Sequence, residues 1–223
     1  MSVCRLIVVS FALIFAACED KNGVSVAIET EDEKILYALG QGLARQFTMV
    51  GLFDDAEMAF ISQGFVDAVA NRDSLVAFKE YVDKMNAVLT ARRGEKNLQW
   101  GNEFRERAAG WEGAITTPSG LIYQVVQDGT GPHPSETDTV MVNYNGRFID
   151  GRVFDSSAKR EDPAVFSLDR VIPGWTEGLQ LMKVGGKARF VIPPHLAYGS
   201  QGSLPAISPN ATLIFEIELM TIK

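Results

Sequence analysis

From Asp32 onward, apolar residues recur at three- and four-residue steps, and after Pro118 they recur at every second residue. Ile35, Leu36, Leu39, Leu43, Phe47 and Val50 share one face of a first helix, which Gly51 stops. Asp54 or Asp55 offers the cap of a second helix, with Met58, Ile61, Phe65, Val66 and Val69 along one side. Asn71-Arg72-Asp73-Ser74 breaks that helix and offers a cap for a third, whose period is held by Leu75, Phe78, Val82, Met85 and Leu89. Thr90–Asn97 is then polar all round, and Leu98, Phe104, Ala108 and Trp111 resume a weaker apolar face. No Pro interrupts Ser74–Thr117, although Gly94 and Gly101 each lower helix propensity by about 1 kcal/mol. A continuous helix of about forty residues predicts a rod of roughly 60 Å. With a polar middle, it reads as a spacer crossing solvent between two bodies.

Pro118-Ser119-Gly120 ends the helical region. Leu121–Val126 is a strand candidate, and Val140, Val142 and Tyr144 alternate with Met141, Asn143 and Asn145. Asp150-Gly151 reads as a hairpin turn between Phe148 and Val153. A short helix over about Gly174–Met182 is separated by Gly185-Gly186 from a strand at Lys187–Ile192. In the last strand Leu213, Phe215, Ile217 and Leu219 point one way, with Thr212, Glu216 and Glu218 opposite. Four or more antiparallel strands and one short helix predict an α+β domain with a half-open sheet.

The chain of 223 residues is long enough for two domains, and its net charge of −7 argues against a nucleic-acid partner. Ala91-Arg92-Arg93 is too short for a nucleic-acid patch and reads as a solvated helix face. Residues 1–17 read as an export signal, with Arg5 as the lone charge ahead of the apolar run Leu6–Ala17. That run is too short to span a bilayer, which takes about twenty residues. It ends in Phe15-Ala16-Ala17-Cys18, and small residues before a Cys resemble a bacterial lipoprotein signal in which Cys18 becomes the lipidated first residue. Phe15 departs from the Leu usual at its place, and an ordinary signal cleaved near Ala17 is the alternative. Of the two cysteines, Cys4 would leave with the signal, so Cys18 has no disulfide partner and a lipid thioether accounts for it. The polar stretch that follows, to Glu31, reads as a tether.

The segment richest in candidate chemistry is Val171–Gly199. It holds no plausible nucleophile–base pair, and His195 has neither a Cys nor a carboxylate at ligand spacing. Val171, Ile172, Trp175 and Tyr198 would build an apolar pocket with a few polar handles. Such a pocket suits a reaction without covalent chemistry, such as rotation about a peptide bond. The same residues taken alone also read as core packing. No cofactor or metal is called for.

Tyr144, Gly146, Val153-Phe154-Asp155-Ser156-Ser157, Val171-Ile172-Pro173-Gly174-Trp175, Gly178, Gly185, Ala197-Tyr198-Gly199 and Ala211–Phe215 resemble, in order and spacing, the motifs of FKBP-type peptidyl-prolyl cis-trans isomerases across about Ser119–Lys223. Leu36–Phe47 and Ile61–Val69 are similar to the amino-terminal dimerisation domain of the macrophage-infectivity-potentiator class. The resemblance implies an antiparallel half-barrel sheet wrapped on one short helix, preceded by an all-α dimerisation domain with a long linking helix. It implies a signal peptide at 1–17, a lipidated tether at 18–31, a helical dimerisation domain and spacer at 32–117, and an isomerase domain at 118–223. It implies Trp175 as the floor under the proline ring, with Tyr144, Phe154, Val171, Ile172 and Phe215 as walls and Phe166 and Ile207 flanking. The Ile172 N–H and the Tyr198 hydroxyl would hold substrate carbonyls. Asp155 would face the rotating carbonyl, oriented by Tyr144 or Arg160. Read alone, Asp155 is a strand-end turn residue, and Phe215 and Ile207 are equally plain core. Ala164 replaces a pocket aromatic of the small tacrolimus-binding members, and Ser203 stands where a His or aromatic is frequent, so affinity for such macrolides is expected to be weakened. The expected activity is prolyl isomerisation assisting the folding of exported proteins in a bacterial envelope. The expected anchor is the lipid on Cys18, facing the periplasm from the outer rather than the inner membrane. Expected partners are proline-containing unfolded polypeptides and a second copy of the chain, and the alternative is a dimeric chaperone with isomerisation secondary.

Overall fold

Helix α1, Glu31–Gln46, begins with the acidic residues Glu31, Asp32 and Glu33, which favour the positive end of a helix dipole. Asp54 caps helix α2, Asp55–Val69: its carboxylate accepts the Glu57 N–H at 2.8 Å while Glu57 reaches back to the Asp54 N–H at 3.1 Å. These elements belong to a computed structural model that describes residues 28–46, 51–159 and 163–223. Phe47, Val50, Arg160 and Cys18, with the expected signal and most of the tether, lie outside the described residues. Contacts divide the chain into two compact units, Met1–Ser74 and Leu75–Lys223. Among the described residues no helix is long and apolar enough to cross a membrane.

The third helix, α3, runs Phe78–Ala109. It is shorter than the sequence pattern implies: 32 residues make a rod of about 48 Å. The expected cap at Asn71–Ser74 is not used, and Ala77 stands at the N-cap without a side-chain bond. At the other end Gly110 closes the helix, and Ala114–Thr116 pairs instead as strand β1 with Thr116 opposite Ile122. Nor is the second half of α3 a solvent-crossing spacer. Gly94, Gly101 and Ala108 are its buried residues, spaced about two turns apart on one face. Leu98, expected inside, is exposed. Small residues let the helix lie close on the sheet. A Cβ at Gly94 would stand 3.2 Å from Pro209 Cβ, and one at Gly101 would collide with the Thr212 side chain. Thr212, on the face opposite Leu213 and Phe215, is therefore buried.

The remaining strands are β2 Ile122–Gln127, β3 Thr139–Phe148, β4 Val153–Ser156, β5 Ala164–Ser167, β6 Lys187–Ile192 and β7 Leu213–Ile222. They form an open antiparallel sheet in the order β1-β2-β6-β7-β3-β4, with β5 also paired to β3. Period-two patterning puts Val140, Val142 and Tyr144 of β3, and Leu213, Phe215, Ile217 and Leu219 of β7, into one core. Helix α4, Pro173–Gln180, covers that core with Trp175 and Leu179. Pro173 sits in its first turn, where a missing N–H costs nothing. Gly174 and Gly178 let α4 settle on β6: a Cβ at either would fall 2.5 Å from Ile192 or 2.6 Å from Phe190. A second cluster, Ile122, Val191, Ile214 and Ala108, closes the other face of the sheet under α3.

Candidate active site

Strand β3 pairs with β5 up to Val142 and with β4 from Asn145, which leaves Tyr144 without a strand neighbour on that side. Ser156 and Ser157 fill the gap. The Ser157 hydroxyl accepts the Tyr144 N–H at 2.9 Å, and both hydroxyls stand 3.3 Å from the Tyr144 carbonyl. This fixes Tyr144 on the inner face beside the end of β4, where Asp155 lies. The Tyr144 hydroxyl donates to Asp155 Oδ2 at 2.6 Å, and the Ser156 N–H donates to Oδ1 at 2.9 Å. Two donors thus hold the carboxylate in one orientation.

Between α4 and the sheet lies a cleft of about 520 Å³ lined by aromatic and aliphatic side chains. Trp175, 4 % exposed, is its centre. Tyr144, Phe166 and Phe215 meet its ring nearly edge-on, at centroid distances of 5.2, 5.3 and 5.2 Å. Phe154 packs on Phe215 at 5.5 Å, so the walls brace one another as well as the floor. Tyr198 enters from the turn after β6. Burial, and then the Asp155 carboxylate, push its hydroxyl above the ordinary tyrosine value, so it remains a donor at neutral pH. The Ile172 carbonyl accepts the Trp175 N–H at 2.8 Å, whereas the Ile172 N–H makes no bond to the described residues.

The cleft therefore gathers Tyr144, Phe154, Asp155, Phe166, Val171, Ile172, Trp175, Tyr198 and Phe215, all expected from sequence. Ile207, which the sequence leaves open between flanking the cleft and plain core, is 4 % exposed in the core, its backbone paired both ways with Ser203 at 2.8 Å. Ala164 is likewise core, opposite Val142 in the β3–β5 ladder. Arg170 and Pro173 also line the cleft and were not named as site residues; Pro173 belongs to the motif Val171–Trp175, and the only sequence signal of Arg170 is adjacency to it. His195 holds a turn, with its Nε2 2.9 Å from the Ser119 carbonyl oxygen.

Two family models match: FKBP-type peptidyl-prolyl cis-trans isomerase over residues 131–220, and the domain amino terminal to it over residues 32–125. FkpA of Escherichia coli K12, an FKBP-type peptidyl-prolyl cis-trans isomerase, is 41% identical over 211 residues, covering 88% of this chain and 78% of FkpA. The chain belongs to the FKBP-type peptidyl-prolyl cis-trans isomerases. Another relative, outer membrane protein MIP of Legionella longbeachae, is 35% identical over 209 residues and 89% of each chain. The crystal structure of E. coli FkpA aligns at TM-score 0.62 and 40% identity, covering 88% of this isomerase and 99% of FkpA. An isomerase from Pseudomonas syringae aligns at TM-score 0.54 and 38% identity, covering 58% and 95%.

As an FKBP-type isomerase the protein accelerates rotation about X–Pro bonds in polypeptides. Uncatalysed, that rotation is slow because amide resonance sets a barrier of about 20 kcal/mol. The planar amide carries a resonance dipole, and the twisted transition state has lost most of it. A largely apolar cleft from which bound substrate displaces water solvates the planar form poorly relative to the twisted one, which narrows the gap between them. Only this preference for the twisted state, and not uniform binding, raises the rate.

Proposed function

We propose that this isomerase assists the folding of exported polypeptides in a bacterial envelope, with Tyr144, Asp155 and Tyr198 as its polar machinery. The carrying observation is the 2.6 Å bond from Tyr144 to Asp155 in a cleft lined mostly by aromatic and aliphatic side chains. In this reading Trp175 floors the proline ring, while Phe154, Phe166, Val171, Ile172 and Phe215 wall it. The Ile172 N–H and the Tyr198 hydroxyl hold the flanking substrate carbonyls, and the oriented Asp155 faces the carbonyl that turns. The same floor and walls would accept tacrolimus-type macrolides, with Ala164 adding no ring to the contact. Asp155→Ala removes the oriented carboxylate but little packing. Its kcat/KM, from cis/trans exchange on proline peptides, should fall while the protein stays folded at the assay temperature. A parent rate would refute the assignment of Asp155 and leave the isomerase activity standing.

The organisation we propose is a signal at 1–17, a tether at 18–31, a helical region at 32–117 that dimerises through its first part and packs α3 on the sheet with its last, and an isomerase domain at 118–223. Leu39, Phe65 and Phe78 are exposed apolar side chains of the helical region, which supports a homodimer. Cys18 follows Ala16-Ala17 and is the acylation site in this reading; a diacylglyceryl group plus an amide-linked chain gives stable membrane attachment. The name of the Legionella relative supports the outer membrane. Cys18→Ser should move the protein out of the membrane fraction, and wild-type protein with an unmodified Cys18 by mass spectrometry would remove the anchor.

A further inference from the structure

Tyr198 sits on a loop whose far end is gripped by helix α3. The Asn97 side-chain amide donates to the Pro209 carbonyl at 2.8 Å, and the Asn210 amide donates to the Gly94 carbonyl at 3.3 Å. Gly94 is buried directly against Pro209, so the two hydrogen bonds flank a close contact with no room for a side chain. From there the connection to the cleft is one bond long. The Asn210 N–H donates to the carbonyl of Gly199, the residue after Tyr198, at 2.9 Å. Asn210 adopts a left-handed backbone, φ 56°, which turns its main chain toward Gly199 and its side chain toward the helix. The interior of the loop is tied off separately. Gly202 N–H reaches the Tyr198 carbonyl at 3.0 Å, and Ser203 and Ile207 exchange two bonds. The loop therefore moves as one piece, and its anchorage outside itself includes α3.

We propose that Asn97 and Asn210 are positioning residues for Tyr198, so that α3 works as a strut for the isomerase site. Neither touches the cleft: Asn97 and Asn210 are absent from its lining, whereas Tyr198 is part of it. The hydroxyl of Tyr198 must meet a substrate carbonyl within hydrogen-bond tolerance, and loop freedom at Pro209–Asn210 is passed to it through Gly199. This inference rests on the proposed role of Tyr198 as a donor to substrate.

The test is a double-mutant cycle in the full-length chain, reading kcat/KM from cis/trans exchange on short proline peptides. Asn97→Ala removes one grip and raises helix propensity, so α3 stays formed. Asn210→Asp removes the other donor and keeps a residue that tolerates the left-handed backbone. Each should lower kcat/KM about fivefold, the factor corresponding to one hydrogen bond's net contribution. In a Tyr198→Phe background the same changes should cost less than about twofold, because the group they position is already gone. Full, additive losses in that background would overturn the strut while leaving Tyr198 its role. Parent rates for both Asn97→Ala and Asn210→Asp would overturn it as well. A Tyr198→Phe protein at the parent rate would overturn the reading of Tyr198 and the strut with it.

Discussion

Trp175 ties the stability of the fold to the chemistry of the cleft, because one buried ring carries three aromatic walls. Trp175→Ala should cost about 3–5 kcal/mol, the range for deleting a large buried aromatic, since the braced walls cannot collapse into the space. Urea denaturation reads this as a lower midpoint, and an unchanged midpoint would contradict the packing. Tyr198 gives a prediction of opposite character, visible only in pH. Its hydroxyl lies above the ordinary value of about 10 through burial first and Asp155 second. A tyrosine raised in the folded state favours the neutral form there. Its contribution to stability is therefore complete below the unfolded value and is lost as pH rises through the folded one. From pH about 6 to 9, ionisation of Tyr198 should leave kcat/KM flat. Phenolate absorbance should show late-titrating tyrosines, among them Tyr123, which burial and Asp128 also raise. Tyr198→Phe should remove one late step, and a Tyr198 step at or below the ordinary value would contradict the geometry.

Helix α3 is the element whose role changes most once its neighbours are known. It covers Ile122, Val191 and Ile214 on the sheet face away from the cleft, and each such side chain contributes about 1.5–3 kcal/mol when buried. A fragment Ser119–Lys223 lacks that cover and β1, so it should melt well below a fragment Leu75–Lys223 by calorimetry. Equal melting temperatures would mean that the docking of α3 adds nothing. The sequence conceals this because burial here is achieved by absence. Gly94 and Gly101 look like weak points in a helix, and only the Pro209 and Thr212 side chains beneath them show why they are small. Strand β6 was legible to both ends because Gly185-Gly186 and Pro193 punctuate it and Phe190-Val191-Ile192 are β-formers. Strands β1 and β5 were not, because at three and four residues they have no period of their own and exist through pairing with β2 and β3. The cleft itself was legible as motifs, and at Ile207 the sequence left wall and core open for a simple reason. A residue can follow the pocket motifs in sequence and still turn into the core when a tight loop pairs it backward onto Ser203.

In the whole molecule, apolar surface and the cleft fall in different places along the chain, and this separation makes the assembly testable. Helices α1 and α2 expose Ile35, Leu36, Leu39, Phe60 and Phe65, with Phe60 81% exposed, and the start of α3 adds Phe78 and Tyr81. Exposed apolar side chains in this number mark an interaction region, and burial against a second copy through residues 32–89 is the occupant we propose. Every residue lining the cleft lies between Tyr144 and Phe215, outside that region. Dissociation should therefore leave the chemistry intact while removing what two linked sites gain on one long client through effective concentration. Charge placed on the apolar face, as in Leu39→Asp with Phe65→Asp, should yield monomers by light scattering at micromolar protein. Those monomers should keep the parent kcat/KM on short proline peptides and lose efficiency in refolding a large, proline-limited substrate. Mature wild-type protein that scatters as a monomer at the same concentration would end the dimer reading. Monomers slowed equally on both substrates would show that the helical region acts on the site itself.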